Sequence, residues 1–285
     1  MSVRAGRARV GYLLLAPAAV WLLAFFVVPF YSLVATSLFD PSGSDFRGYE
    51  MTYAVGNYVD VVRAYWGPLL RALVFGAAAT AACLVLGYVL AYAIAFKAGR
   101  WKNLMLVLVI APFFTSFLIR TLSWKLILAD DGIVVSTLQV LHVLGSDGRL
   151  LATPFAVIAG LTYNFLPFMV LPLYASLDKV DPALVEAAGD LYASPFAGFV
   201  KVTWPLSMPG IVSGTLLTFI PATGDYINAE LLGSTNDRVI GNVIQSQFTD
   251  ANNLPVAAAL SVLLSVLIVV MVLLYVRRAG TQELL

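Results

Sequence analysis

The chain has 285 residues, 60% of them hydrophobic and only 12% charged, with a net charge of +1. Soluble domains carry about twice that share of charge, so an ordinary soluble domain is excluded, and the near-zero balance excludes the basic face of a nucleic-acid binder. One Cys and one His exclude a disulfide framework and are too few for a zinc site.

The N-terminus, MSVRAGRARV, places three arginines before an apolar run from Val10 to about Leu38. That run is far longer than the ~7–15 residues of a signal-peptide core. It reads as an uncleaved first span, Val10 to Thr36, with a cytoplasmic N-terminus. Five more spans follow: Pro68 to Phe96, Leu104 to Leu128, Leu151 to Leu177, Pro209 to Leu232, and Val256 to Val276. Inside a bilayer every backbone polar group needs an internal partner, so these are helices. The fold class is therefore all-α integral membrane with about six transmembrane helices.

Orientation follows from lysine and arginine placement. Ten of the 17 basic residues fall on the side of the N-terminus: Arg4, Arg7, Arg9, Lys97, Arg100, Lys102, Lys179, Lys201, Arg277 and Arg278. The tight loop KAGRWK is the cleanest signal. The opposite loops are acidic, with Asp40, Asp45, Glu50, Asp60, Asp130, Asp131, Asp147, Asp237 and Asp250. Both termini are thus assigned to the cytoplasm. The longest outer loop, Phe39 to Trp66, carries Tyr49, Tyr53, Tyr58, Tyr65 and Trp66, which suit an interfacial surface.

Pro17, Pro29, Pro112, Pro154, Pro167, Pro172 and Pro221 interrupt spans. Each removes a backbone donor and bends its helix, either as ordinary membrane packing or as a gate between rocking helices. Cys83 reads as a small buried hydrophobe, and His142 as an incidental loop residue. No inverted repeat relates the two halves, which weakens a secondary-transporter reading.

The stretch VEAAGDLYASPFAGFVKVTWP, Val185 to Pro205, is too polar for lipid. Asp181-Pro182 is a helix start, and Ser194-Pro195 repeats it. The first helix is predicted to run to about Leu191, with Leu184, Ala188 and Leu191 on one face. Trp204-Pro205 is predicted to close the second. Two capped helices beneath the membrane suit a docking segment, with two alanines that let another surface approach.

Asp225 and Glu230 belong to the fifth predicted span. Counted along a straight helix, Asp225 lies roughly 22 Å above Gly210, and Arg120 roughly 24 Å above Leu104. An intramembrane carboxylate usually faces a pathway or a partner. Two readings stand: an Arg120–Asp225 ion pair that is purely structural, or a substrate path in which Asp225, Tyr226 and Glu230 meet a cation. Tyr163 and Asn164, mid-span beside Pro167, either glue helices together or line that path.

The stretch Glu186, Ala187, Ala188, followed by Val202, Trp204 and Pro205, resembles the EAA loop of permease subunits of ATP-binding-cassette importers. The motif's glycine falls at Tyr192, and its leucine before the proline is Trp204. APFFTSFLIRTLSWKLIL, LPFMVLPLYASLDKVD, PLSMPGIVSGTLLTFIPATGDY and IGNVIQSQF look like the B-type permeases of spermidine/putrescine importers. The resemblance implies a type I importer fold: an N-terminal helix and outer loop over 1–67, a permease core over 68–277 that includes the loop 178–208, and a cytoplasmic tail over 278–285. It implies that Glu186, Ala187, Ala188, Leu191 and Tyr192 couple to a separate ATPase dimer. It also implies a second permease subunit of a different chain type, an extracytoplasmic solute-binding protein and a polyamine cargo, in a bacterial plasma membrane. The chain has no G-x-x-x-x-G-K-[ST] loop, so ATP and Mg belong to the partner ATPase, and no cofactor is expected in this chain. The alternatives are another small solute in the same importer class, or an ATPase-independent carrier. Scattered carboxylates with one His and one Cys form no catalytic cluster.

Overall fold

The computed structural model describes residues 14–43, 48–145 and 148–279. Arg4, Arg7, Arg9, Val10, Asp45, Arg47, Asp147 and the tail beyond residue 279 lie outside them. Apart from one bridge between Phe39 and Met51, the described residues form helices, turns and loops. Among the described residues four helices are long and apolar enough to cross a membrane, and up to six spans result if each of two bent pairs is one span.

The described residues divide into two compact units, Met1–Trp66 with Ile244–Val266, and Gly67–Val243 with Leu267–Leu285. In the first unit, α1 (Leu14–Thr36) exposes nearly every apolar side chain along its length. Its widened π-turn at Leu23–Val27 makes room for Pro29, whose ring would clash with a regular helix carbonyl one turn back. The next helix, α2 (Gly56–Lys97), begins twelve residues before the predicted span. Tyr58, Tyr65 and Trp66, predicted in the outer loop, therefore stand on a helix. Asn57 explains that early start: its buried amide donates to the carbonyls of Ser37 and Phe39, both at 2.9 Å. Tyr58 adds a hydroxyl bond to Ser37 Oγ at 2.6 Å. Helical geometry lapses at Tyr65, three residues before Pro68.

In the second unit the predicted span Leu104–Leu128 is not straight. It consists of α3 (Lys102–Ile110), a 3₁₀ turn over Ala111–Phe114, and α4 (Phe117–Ile127), with a bend of 95° between the two parts. Pro112 starts the break, Thr115 and Ser116 are extended, and Thr115 Oγ1 donates to the Pro112 carbonyl at 2.7 Å. A short α5 (Ile133–Val140) follows, then α6 (Pro154–Leu177), whose N-cap Thr153 accepts from Ala156 N.

The polar loop folds as its caps predict. Asp181 accepts from Ala183 N at 2.9 Å to start α7 (Pro182–Asp190). Ser194 accepts from Ala197 N at 3.2 Å to start α8 (Pro195–Leu206). That helix ends at Leu206, one residue past Trp204-Pro205, after the chain widens into a π-turn at Phe199–Thr203 that accommodates Pro205. The break comes at Ser207, with a 65° bend into α9 (Met208–Gly224). The predicted fifth span also stops early: Asp225 is extended, and a separate α10 (Ile227–Leu232) follows. An amphipathic α11 (Ile240–Thr249) and α12 (Leu254–Ala279) complete the described residues.

Between membrane helices no hydrophobic drive operates, so close packing and hydrogen bonds hold them. The tightest seam runs between α6 and α9. A Cβ on Gly210 would stand 2.6 Å from the Pro172 carbonyl oxygen, and one on Gly214 would stand 2.7 Å from Met169 Sδ and 3.2 Å from its carbonyl oxygen. This Gly-x-x-x-Gly face lets α9 touch the backbone of α6 and buries Met169, Val170, Leu173, Ile211 and Val212.

Tyr192 decides the turn between α7 and α8. Its φ is +59°, the left-handed conformation that glycine takes at a helix end. Tyr192 N donates to Gly189 O at 2.9 Å, and Ala193 N donates to Ala188 O at 3.1 Å, which is the complete Schellman pattern. The turn thus survives without its glycine. The tyrosine side chain is 99% exposed, so no internal contact offsets the strain.

Two outcomes follow for stability. Gly214→Leu forces apart α6 and α9 and lowers the thermal midpoint of the purified protein, a loss of ~1–3 kcal/mol, whereas Gly224→Ala, with open space around it, leaves the midpoint in place. Tyr192→Gly relieves ~1–2 kcal/mol of left-handed strain against ~0.4–1 kcal/mol of added chain entropy. Slower protease nicking of the loop in that variant is the expected reading, and faster nicking would contradict the strain assignment.

Candidate functional site

The breaks at Thr115–Ser116 and at Asp225–Tyr226 put polar groups at the middle of the second unit. Asn164, 1% exposed on α6, donates through Nδ2 to Thr121 Oγ1 on α4 and to Asn228 Oδ1 on α10, both at 3.2 Å. Asn228 in turn donates its backbone N–H to Asp225 Oδ1 at 2.8 Å and its amide to the same oxygen at 3.1 Å. Asp225 therefore spends one oxygen on holding the first turn of α10, and Asn228 passes that hold on to α6.

The same segment is tied from α11. Asn242, buried, donates to the Tyr226 carbonyl at 3.1 Å and to Glu230 Oε2 at 2.8 Å. Its own Oδ1 accepts from Val239 N at 3.0 Å. Glu230 is exposed and borders a cavity of about 260 Å³ with Ser234, Thr235 and Arg238. Asp225 and Tyr226 in the break and Glu230 in the first turn of α10 are thus held by two asparagines, Asn228 and Asn242. Asn242 and Thr121 are the members that sequence reasoning missed. The only trace of Asn242 was a lone amide at the start of an amphipathic segment.

The Arg120–Asp225 pair is not formed. The ion pairs among the described residues are Lys102–Asp178 and Arg149–Asp130. Both depth estimates assumed straight helices, and both helices break before reaching the charged residue. Arg120 lies instead between the rings of Phe113 and Phe117, at 5.2 and 5.6 Å.

Tyr163 and Asn164 part company, since neighbours on a helix point about 100° apart. Asn164 enters the amide network. Tyr163 meets Trp124 edge-on at 5.5 Å and lines the cavity beside Arg120.

In the loop, Glu186 and Ala187 are exposed. Ala188 faces the second helix, where a Cβ on Gly198 would stand 3.8 Å from its own, so its small size serves the crossing of α7 and α8. Leu184, Leu191, Tyr192 and Phe196 form an exposed apolar rim, with Leu191 at 82%. The other side of the loop is anchored by rings. Tyr88 on α2 stacks on Trp204 at 5.2 Å, meets Phe199 edge-on at 5.5 Å, and bonds through its hydroxyl to Ser207 Oγ at 2.9 Å. The tryptophan that replaces the motif's leucine therefore forms part of this joint. Just before the loop, Asp178 accepts from Lys102 and from the Tyr174 hydroxyl at 3.3 Å. The Lys102 ammonium holds the Asp178 carboxyl below the usual carboxylate range. Cys83 is buried and contacts the Thr162 carbonyl at 3.3 Å, as a small packed side chain would.

Residues 83–278 match the family model described as binding-protein-dependent transport system inner membrane component. The spermidine/putrescine transport system permease protein PotB of Escherichia coli (strain K12) is 39% identical over 258 residues, covering 90% of this chain and 93% of the relative. The PotB of Haemophilus influenzae is 37% identical, covering 90% of each. Among solved structures, a bacterial ABC transporter involved in import of the acidic polysaccharide alginate superposes with a TM-score of 0.73 at 17% identity, covering 96% of both chains. That likeness concerns the fold. Together with the family match, it bears out the expected importer-permease architecture: the chain belongs to the family of binding-protein-dependent transport system inner membrane components.

Proposed function

We propose that this chain is one permease subunit of an ATP-driven importer that carries polyamines of the spermidine/putrescine class. The observation that carries the cargo reading is the extent of its similarity to PotB, 37–39% identity over 90% of the chain. The polar break is chemically suited to it. A polyamine is a row of ammonium groups on methylenes, which needs carboxylates for charge and an aromatic face for cation–π contact. Asp225, Glu230 and Tyr226 offer these within six residues, on a segment freed from regular helix by Pro221 and Gly224.

The loop 178–208 supplies the coupling. Its exposed Leu184, Leu191, Tyr192 and Phe196 form an apolar rim on which the ATPase dimer docks, with Glu186 as the charged contact. Movement of α7 and α8 passes through Trp204 and Phe199 to Tyr88 on α2, and through Ser207 to α9. ATP and Mg are bound by the ATPase, not by this chain. A second permease completes the path, and a solute-binding protein delivers cargo to the side opposite the loop. Both termini and the loop then face the cytoplasm of a bacterial cell.

Asp225→Asn with Glu230→Gln tests the cargo. Asparagine caps a helix as well as aspartate does, so the fold is kept while two charges are removed. Spermidine uptake by the reconstituted transporter is expected to fall by at least ~10-fold, equivalent to about 1.4 kcal/mol of lost binding. Uptake at the original rate would remove the physical basis for a cationic solute. Glu186→Lys tests coupling. It leaves the thermal midpoint of the purified permease in place and abolishes ATP-driven uptake, while normal uptake would place the ATPase contact elsewhere.

A further inference from the structure

Arg120 carries a charge that the described residues do not balance. It is 8% exposed. Neither its Nε nor its Nη1 has a hydrogen-bond partner among the described residues, and neither ion pair includes it. Phe113 and Phe117 cover the guanidinium at 5.2 and 5.6 Å. Rings satisfy the faces of a guanidinium but accept nothing from its in-plane N–H groups. A buried cation with idle donors is costly anywhere in a membrane.

Arg120 forms part of the wall of a cavity of about 340 Å³, with Thr115, Ser123, Trp124 and Tyr163 among the other lining residues. The cavity borders an exposed apolar face of α4, where Ile119, Leu122 and Leu126 stand at i, i+3 and i+7. This is a built pocket with a buried charge at its edge, on a helix face that is otherwise suited to a membrane neighbour.

The depth of the pocket limits what can fill it. Thr121, next to Arg120, is bonded to Asn164, ten residues from one end of α6 and thirteen from the other. By helix rise that is roughly 15 and 20 Å from the two ends of the span. Lipid phosphates and soluble partners sit at those ends. A cationic cargo offers no acceptor and is repelled. The remaining source is a side chain of another membrane-embedded subunit, and charge complementarity makes it a carboxylate.

We propose that the cavity beside Arg120 receives an aspartate or glutamate of the second permease subunit, closing an ion pair between subunits at mid-membrane. The proposal rests on the two-permease assembly put forward above. The ring pair holds the guanidinium plane in place for that carboxylate, so the pair specifies the partner and its register.

The test uses the complete transporter, purified through a tag on this chain. Arg120→Met is expected to lower the retained second permease by about tenfold, the equivalent of one good charged contact, and Arg120→Lys to restore part of it. p-Benzoylphenylalanine at Ser123 is expected to crosslink a second-permease peptide that contains Asp or Glu. Changing that carboxylate to its amide gives the same loss, and combining it with Arg120→Met adds nothing further, as a direct pair requires. Retention of the second permease at the original level in Arg120→Met overturns the proposal. So does a crosslink to lipid alone, a crosslink that added solute abolishes, or fully additive losses. A wild-type chain that brings down no second permease would instead refute the assembly itself.

Discussion

The pieces of a broken membrane span must be held together from within the protein, and in the larger unit one side chain links the pieces of two broken spans. Two spans are broken, at Thr115–Ser116 and at Asp225–Tyr226. Asn164 stands between the broken pieces and donates to both, through Thr121 on α4 and Asn228 on α10. Without that amide, α10 would be a six-residue helix with no polar link to the long helix beneath it. Isolated helices of that length do not persist. The α6–α9 seam supplies the rigid floor. Gly210 and Gly214 bring the two backbones close enough that the position of Asn164 is set by packing, not by a flexible side chain.

The two charges on the broken spans therefore have different surroundings. Asp225 is absorbed into helix capping through one oxygen and remains next to Glu230 and Tyr226, where hydrogen bonds from Asn228 and Asn242 orient the group. Arg120, one residue from the same network, lies against Phe113 and Phe117 with its Nε and Nη1 unpartnered among the described residues. Pairing the two directly would have neutralised both. The two charges are not paired with each other, and the readings proposed above assign each of them its own ligand.

The polar loop shows how a local rule can be broken without losing the structure it serves. Tyr192 stands where a glycine is favoured, and its backbone still takes the left-handed turn because two Schellman hydrogen bonds and two proline-led helix starts over-determine it. The loop is joined to the membrane part through rings. Tyr88, Phe199 and Trp204 form a compact aromatic joint, and the Lys102–Asp178–Tyr174 cluster holds the other strand of the loop. A force on α7 and α8 thus meets stiff connections to α2 and α6.

Sequence alone determined the all-helical membrane class and the two caps of the loop, because apolar run length, proline at the first helical position and Asp or Ser before it are local signals. It also exposed the family, through stretches whose order needs no coordinates. It did not determine where spans break. Pro112 and Pro221 were visible, but whether a proline bends a membrane helix or ends it depends on how distant parts of the chain hold the pieces: Asn242 takes the freed Tyr226 carbonyl, and Asn164 links α4 and α10 through the side chains of Thr121 and Asn228. The Arg120–Asp225 pair, one of the two readings left open, is not formed for that reason: depth was counted along helices that the tertiary structure had interrupted. The fate of Tyr163 and Asn164, one lining a cavity and the other binding three helices together, was likewise decided by which elements pack on each side of α6.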